Sequence, residues 1–128
     1  MAIFTHVMVG SNDKEKAKAF YDAALSPLGI NNLGTFGDTG TLLYGTNQPE
    51  FWVTTPANGE AANHANGGTI GFVAPSRKAV DTFHAAGMAN GGICEGEPGL
   101  RDFSPTAYAA YLRDTDGNKI CAYCMKAE

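Results

Sequence analysis

The sequence predicts an α+β fold in which two βαβββ modules form a half-open mixed sheet around a cleft. Three observations predict it. Strand-like and helix-like stretches follow one another in the same order in both halves of the chain. The halves also match at the constant offset that separates Phe20 from Phe83. At that offset Val7 pairs with Ile70, Val9 with Phe72, Asp13 with Ser76, Ala23 with Ala86, Leu25 with Met88, Gly29 with Gly92 and Ile30 with Ile93. A fixed offset of this kind signals one structural unit used twice. Finally, Tyr111 to Cys124 reads as strand, turn, strand, with Asp116-Gly117-Asn118 as the turn because Gly and Asn tolerate positive φ.

The elements follow in order. Ile3 to Val9 is apolar and β-branched and predicts a strand, with Phe4, His6 and Met8 on one face and Ile3, Thr5, Val7 and Val9 on the other. Gly10-Ser11-Asn12-Asp13 supplies helix caps. Ala17, Phe20, Tyr21, Ala24, Leu25 and Leu28 follow at helical spacing, until Pro27 and Gly29 end the helix. Short strands are predicted at Asn32–Phe36, Thr41–Tyr44 and Phe51–Thr54, and a polar loop at Pro56–Ala65. Module one therefore spans about residues 1–60 and module two about 66–128.

Gly68–Val73 predicts the next strand. Pro75-Ser76 opens a second helix with Ala79, Val80, Phe83, Ala86 and Gly87 on its apolar face. This helix should fade from Gly87 onward, where the sequence is rich in glycine. A short strand is expected at Ile93–Glu95, then a loop over Gly96–Pro105. The closing hairpin has arms at Thr106–Arg113 and Lys119–Met125. In its returning arm Lys119, Cys121 and Tyr123 share one face, and Ile120, Ala122 and Cys124 the other.

Composition narrows the function. With 128 residues the chain suits one domain built from two small halves sharing a core. The formal net charge is −4 and basic residues are scattered, so neither nucleic acid nor a membrane surface is an expected partner. No apolar run is long enough to span a bilayer, and the first residues lack a basic n-region and cleavage site, so a cytoplasmic location is expected. Cys94, Cys121 and Cys124 are an odd count, which favours reduced thiols over a disulfide framework. Cys121 and Cys124 have metal-like spacing but fall on opposite faces of a strand.

The pattern resembles the vicinal oxygen chelate superfamily, which includes glyoxalase I, bleomycin-resistance proteins, extradiol dioxygenases and fosfomycin-resistance enzymes. His6 on the first strand, Phe20-Tyr21 with Leu28-Gly29, and Gly-Thr-Ile-Gly-Phe at Gly68–Phe72 carry the resemblance. Its most specific part is Arg-Asp-Thr-Asp-Gly-Asn-Lys-Ile at Arg113–Ile120, similar to the family's Arg-Asp-Pro-Asp-Gly-Asn signature. Tyr44-Gly45, Phe51-Trp52, Ser76-Arg77, Phe83-His84, Gly99-Leu100-Arg101 and the stretch Tyr108–Tyr111 resemble a small bacterial glyoxalase-like branch. The resemblance implies the glyoxalase-like fold and a homodimer. The modules of such proteins pair either within one chain or across a swapped dimer. Fold alone does not choose a reaction.

In metal-using members, ligands sit on the inner faces of four strands. His6 matches the first ligand, Thr69 falls where a second His is common, and Cys121 falls where a Glu follows Asn-x-Ile. Trp52 falls at the fourth position, with Glu50 the less favoured alternative. The resemblance thus implies a degenerate metal site, with His6 alone retained and no cofactor expected. His6 reads as base, ligand or pocket wall, or as a core histidine. Cys121 reads as a small buried hydrophobe, as a nucleophile beside His6, or as a soft-metal ligand with it. Trp52 offers a wall for stacking a flat ligand, or plain core packing. Arg101 offers a clamp for an anion, or surface charge. Tyr108 and Tyr111 lie three apart, so only one can face the cleft. His84 is expected at the surface of the second helix or against a dimer partner, and His64 in an exposed loop or lid.

Two functions follow as expectations. One is a glyoxalase-like enzyme of lyase or dioxygenase type, acting on a small polar or carbonyl metabolite. The other is a dimeric protein of the bleomycin-resistance type that sequesters a small-molecule ligand without chemistry. His6, Trp52, Thr69, Arg101, Tyr108, Tyr111 and Cys121 are the expected contacts in either case.

Overall fold

The computed structural model describes residues 3–128. The elements are β1 (Val7–Gly10), α1 (Lys14–Leu25), a 3-10 turn at Ser26–Leu28, β2 (Asn31–Phe36), β3 (Thr41–Gly45) and β4 (Pro49–Thr54). They continue with β5 (Ile70–Val73), α2 (Arg77–Ala89), β6 (Ile93–Leu100), β7 (Tyr108–Arg113) and β8 (Lys119–Cys124). The repeat seen in the sequence is a repeat in space. Two four-stranded sheets have equivalent orders, β1-β4-β3-β2 and β5-β8-β7-β6. In each, the first strand runs parallel to the last and the remaining pairs are antiparallel. The fold is α+β with two mixed sheets, and no barrel closes.

Capping chemistry sets the helix starts. Asp13 caps α1 by accepting from the Lys16 amide at 3.1 Å, and Ser76, its partner in the repeat, caps α2 through the Ala79 amide at 3.0 Å. Gly29 at φ +80° ends the first helical segment, its amide bonded to the Ser26 carbonyl. Both helices lay their apolar stripes on one side of the sheets. Phe20, Tyr21, Ala24 and Leu25 join Val80, Phe83, Leu112, Ile120 and Ala122 in one core cluster that crosses the module boundary.

Several boundaries differ from the sequence reading, three of them for reasons visible in the packing and pairing. β1 begins at Val7, not Ile3, and Ile3 and Phe4 are exposed. The ladder of β1 on β4 starts at Val7–Phe51, and β4 itself begins at Pro49, so by register Ile3 and Phe4 fall before the start of β4. α2 does not fade at Gly87 but runs on to Ala89. Gly87 is the point of closest approach, since a Cβ there would meet Leu112 Cδ1 at 2.4 Å and Phe20 Cε1 at 3.2 Å. Finally, β6 runs to Leu100, so half of the expected Gly96–Pro105 loop is strand. It pairs with β7 through two register shifts, between Cys94 and Gly96 and between Gly96 and Gly99.

The signature turn joins the modules. Asp114, which is buried, accepts from the Asp116 amide (2.8 Å), the Asn118 amide (2.9 Å), Asn118 Nδ2 (2.9 Å) and the Tyr21 hydroxyl (2.5 Å). Asn118 Nδ2 also donates to the Gly10 carbonyl at 3.0 Å, and the Asn12 amide donates to Asp116 at 2.8 Å. Gly117 sits at φ +88°, where only glycine is comfortable. The two sheets are separate ladders, so these bonds and the shared core, not backbone pairing, hold the modules together.

Candidate functional site

Strand pairing sorts the residues onto two faces, because opposite residues share a face. In the first sheet Met8, Trp52 and Leu43 are in register and lie opposite to the core-side row Val7, Phe51 and Tyr44. In the second, Gly71, Cys121, Tyr111 and Gly96 are in register on the open face, while Ile70, Ile120 and Leu112 face the helices.

The first sheet supplies an aromatic platform. The His6 ring stacks on Trp52 with centroids 4.5 Å apart and planes 22° from parallel, and Phe36 packs against Trp52 at 5.9 Å. His6 Nδ1 lies 3.0 Å from the Thr5 hydroxyl. The imidazole is thus part of an exposed residue in a stack, not a core histidine.

The second sheet supplies a charged cavity of about 590 Å³, lined by Thr69, Glu95, Gly96, Glu97, Arg101, Tyr111 and Lys119. Arg101 is held by the carbonyls of Gly99 and Glu97, each at 3.0 Å, and its guanidinium lies 5.4 Å from the centre of the Tyr111 ring. Lys119 Nζ lies 5.3 Å from the same ring. The Tyr111 hydroxyl bonds to that of Tyr123, and burial followed by this bond raises its pKa above the ordinary tyrosine value. Glu95 is committed to Arg113 at 3.0 Å, and the Glu97 carboxylate turns to Cys94. Among the described residues neither Arg101 nor Lys119 forms an ion pair.

A second cavity of about 290 Å³ adjoins the first. It shares Thr69 and Lys119 with it and is walled by Met8 and Gly10 of β1. Met8 is the strand partner of Trp52. The charged cavity and the intermodule cavity therefore adjoin along the open side, with residues from both modules, and Met8 links the second to the strand position of Trp52.

The sequence candidates divide accordingly. Thr69, Arg101 and Tyr111 meet in the charged cavity, and His6 and Trp52 meet in the stack. Tyr108 does not reach the cleft. Its hydroxyl donates to Asp81 of α2 at 2.6 Å and Arg77 lies over its ring, so it belongs to the helix side. Cys121 is buried on the open-face row, with its sulfur 3.3 Å from where a Gly71 Cβ would be. Burial pushes its thiol up to about 11, the opposite of what a nucleophile at neutral pH needs. Lys119 was not among the candidates, although it shares a strand face with Cys121. His64 is exposed, with its ring near Gly117. His84 is buried, not at the helix surface, and lies against Cys94.

The four positions that the resemblance assigns to metal ligands, His6, Thr69, Cys121 and Trp52, make a poor donor set for a divalent metal. They offer one imidazole, a threonine hydroxyl, a thiol held in its neutral form, and an indole whose nitrogen is a donor without a lone pair to give. Glu50, the alternative to Trp52, stands exposed near the start of β4.

A profile of the Glyoxalase/Bleomycin resistance protein/Dioxygenase superfamily matches residues 3–122. Among solved structures, a glyoxalase/bleomycin resistance protein from Albidiferax ferrireducens is 51% identical, covers 98% of this chain and 100% of its own, and superposes with a TM-score of 0.87. At 20% identity a lactoylglutathione lyase from Agrobacterium tumefaciens shares the fold, with a TM-score of 0.65 over 96% of this chain and 92% of its own. The antibiotic binding protein TnmS3 from a Streptomyces species shares it too, at 19% identity and a TM-score of 0.61 over 98% of each chain. The curated proteins contain no match.

Proposed function

The chain belongs to the glyoxalase/bleomycin resistance protein/dioxygenase superfamily, and from that premise we propose that it is a metal-independent binding protein for a small organic anion with a flat apolar part. The observation that carries this reading is the pair Arg101 and Lys119. Both flank Tyr111 at the wall of an open cavity, and among the described residues neither is neutralised by a carboxylate. A carboxylate or phosphate entering there meets a planar guanidinium and an ammonium, the two groups suited to it. The neighbouring His6–Trp52 stack offers π-faces to the rest of the ligand.

The fold leaves the choice open, because it serves both a lyase and an antibiotic binding protein at low identity. The residues favour binding. A lyase or dioxygenase reaction of the inherited kind turns on a polarising metal, and the four positions lack its ligands. Cys121 is protonated, and His6 is engaged by Trp52 and Thr5. Retained His6 is the one residue that speaks for the enzymatic reading.

Trp52 is the only tryptophan, so its fluorescence reports on the open face. Protein dialysed against a chelator is titrated with aromatic carboxylates and the matching uncharged amides. Carboxylates should bind and amides bind about 10-fold or more weakly, with the same loss on Arg101→Ala or Lys119→Ala. Equal binding of acids and amides sinks the reading. Turnover that needs an added divalent metal and vanishes in His6→Ala establishes the enzymatic one.

The protein is proposed to work as a homodimer. Ile3, Phe4, Phe36, Leu100 and Phe103 are all exposed, and apolar groups of this size are what an interface between subunits would cover. Light scattering after size exclusion should give twice the 13.4 kDa chain mass; a monomer at micromolar concentration rejects the dimer.

A further inference from the structure

The side chains of His84, Cys94 and Glu97 meet beside α2 at the β6 edge of the second sheet, and Glu97 also borders the charged cavity. His84 Nε2 lies 3.1 Å from Cys94 Sγ, and Cys94 Sγ lies 3.6 Å from Glu97 Oε1. Their ligand atoms all fall within 4.8 Å of one another, the one such three-donor group among the described residues. His84 is 7% exposed, Cys94 partly buried and Glu97 exposed, so the cluster has a buried floor and an open mouth.

A bulge builds this arrangement. Cys94 and Glu97 are three apart on β6, and in a regular strand they would face opposite ways. The register shift between Cys94 and Gly96 adds one residue to β6 against β7. Gly96 then pairs with Tyr111 on the open face, and Cys94 and Glu97 both turn to α2, where His84 waits.

We propose that His84, Cys94 and Glu97 form a zinc-type site. Imidazole, thiolate and carboxylate are the ligand classes zinc takes, and three protein ligands leave a fourth tetrahedral position for water. Zinc bonds of about 2.0–2.3 Å set tetrahedral edges of roughly 3.5 Å between ligand atoms. The sulfur-to-carboxylate distance already has that length, and the nitrogen-to-sulfur distance needs to open by a few tenths of an ångström. Binding replaces the Cys94 S–H proton, which leaves to solvent, with a metal–sulfur bond, and no redox change is involved. The metal would tie α2 to β6, two elements that otherwise meet only through packing and the His84–Cys94 contact. Glu97 borders both this site and the proposed anion cavity, but His84 and Cys94 line no part of that cavity, so the metal site does not rest on the anion reading.

The test uses the full chain, reduced and stripped of metal, titrated with Co²⁺ and then Zn²⁺. One equivalent of Co²⁺ should give the near-ultraviolet thiolate charge-transfer band and tetrahedral visible bands, and Zn²⁺ should abolish both. Zn²⁺ should also block alkylation of Cys94. The band should disappear in Cys94→Ser. In His84→Gln and in the surface variant Glu97→Gln affinity should fall by more than the roughly 10- to 100-fold that loss of an outer-shell partner costs a metal site. Glu97→Gln lies at an exposed residue, so it keeps the test valid if the buried His84 variant folds poorly. His6→Ala and Cys121→Ser should behave as the parent. No charge-transfer band at stoichiometric cobalt, a band that survives Cys94→Ser, or one lost in Cys121→Ser overturns the site.

Discussion

Cys121 carries the sharpest chemical consequence of a single position. The resemblance assigns it to a place where a metal-binding carboxylate is common, but burial pushes its thiol up to about 11 and keeps it neutral. The sign of its linkage follows. Its folded value lies above the roughly 8.5 of a free thiol, so its contribution to stability is complete below that pH. It is lost as pH climbs through about 9 toward 11. Tyr21, Tyr44 and Tyr111 are raised as well, burial first, and add to the loss above the ordinary tyrosine value of about 10. The melting temperature should therefore fall over this alkaline window, and fall less steeply in Cys121→Ala; identical slopes would show the thiol uncoupled from folding. At pH 8 iodoacetamide should label Cys94 well before the buried Cys121 and Cys124.

Among the elements, α2 shows how packing overrides propensity. Gly87 interrupts good helix sequence, and by propensity alone Gly87→Ala should stabilise by up to about 1 kcal/mol. The added methyl would sit 2.4 Å from Leu112 and 3.2 Å from Phe20, both buried. Overpacking of that kind costs about 1–3 kcal/mol. The expected result of Gly87→Ala is a net loss of about 1 kcal/mol or more, read as a lower urea midpoint at unchanged m; a higher midpoint would mean the helix shifts freely. The bulged β6 makes the same point about register. A strand with a regular period from Ile93 would separate Cys94 from Glu97, and only the pairing with β7 brings them together.

The whole molecule depends on contacts between modules that share no ladder. Asp114 is the centre of these, 3% exposed and accepting four hydrogen bonds, one of them from Tyr21 in the other module. Asp114→Ala leaves several buried donors without a partner, each costing about 1–3 kcal/mol. The variant should lose more than about 3 kcal/mol and unfold in one transition, since the core is one cluster. Two separated transitions in calorimetry would show that the modules stand alone. No helix of the described residues is long and apolar enough to cross a membrane.

Much of this was legible before any coordinates. The caps Asp13 and Ser76, the apolar stripes of α1 and α2, the Gly117 turn and the matching of the two halves are local patterns, readable because each depends on residues close in sequence. They determined the α+β class, the order of elements and the superfamily. Tertiary structure decided the rest, because it rests on which distant strands meet. Ile3 lacks a partner strand because β4 begins only at Pro49; Tyr108 turns to Asp81 while Tyr111 lies between Arg101 and Lys119; a bulge brings Glu97 round to His84 and Cys94. A sequence specifies local backbone preference residue by residue, but a site is an encounter among side chains far apart in the chain, and only the packed strands settle that encounter.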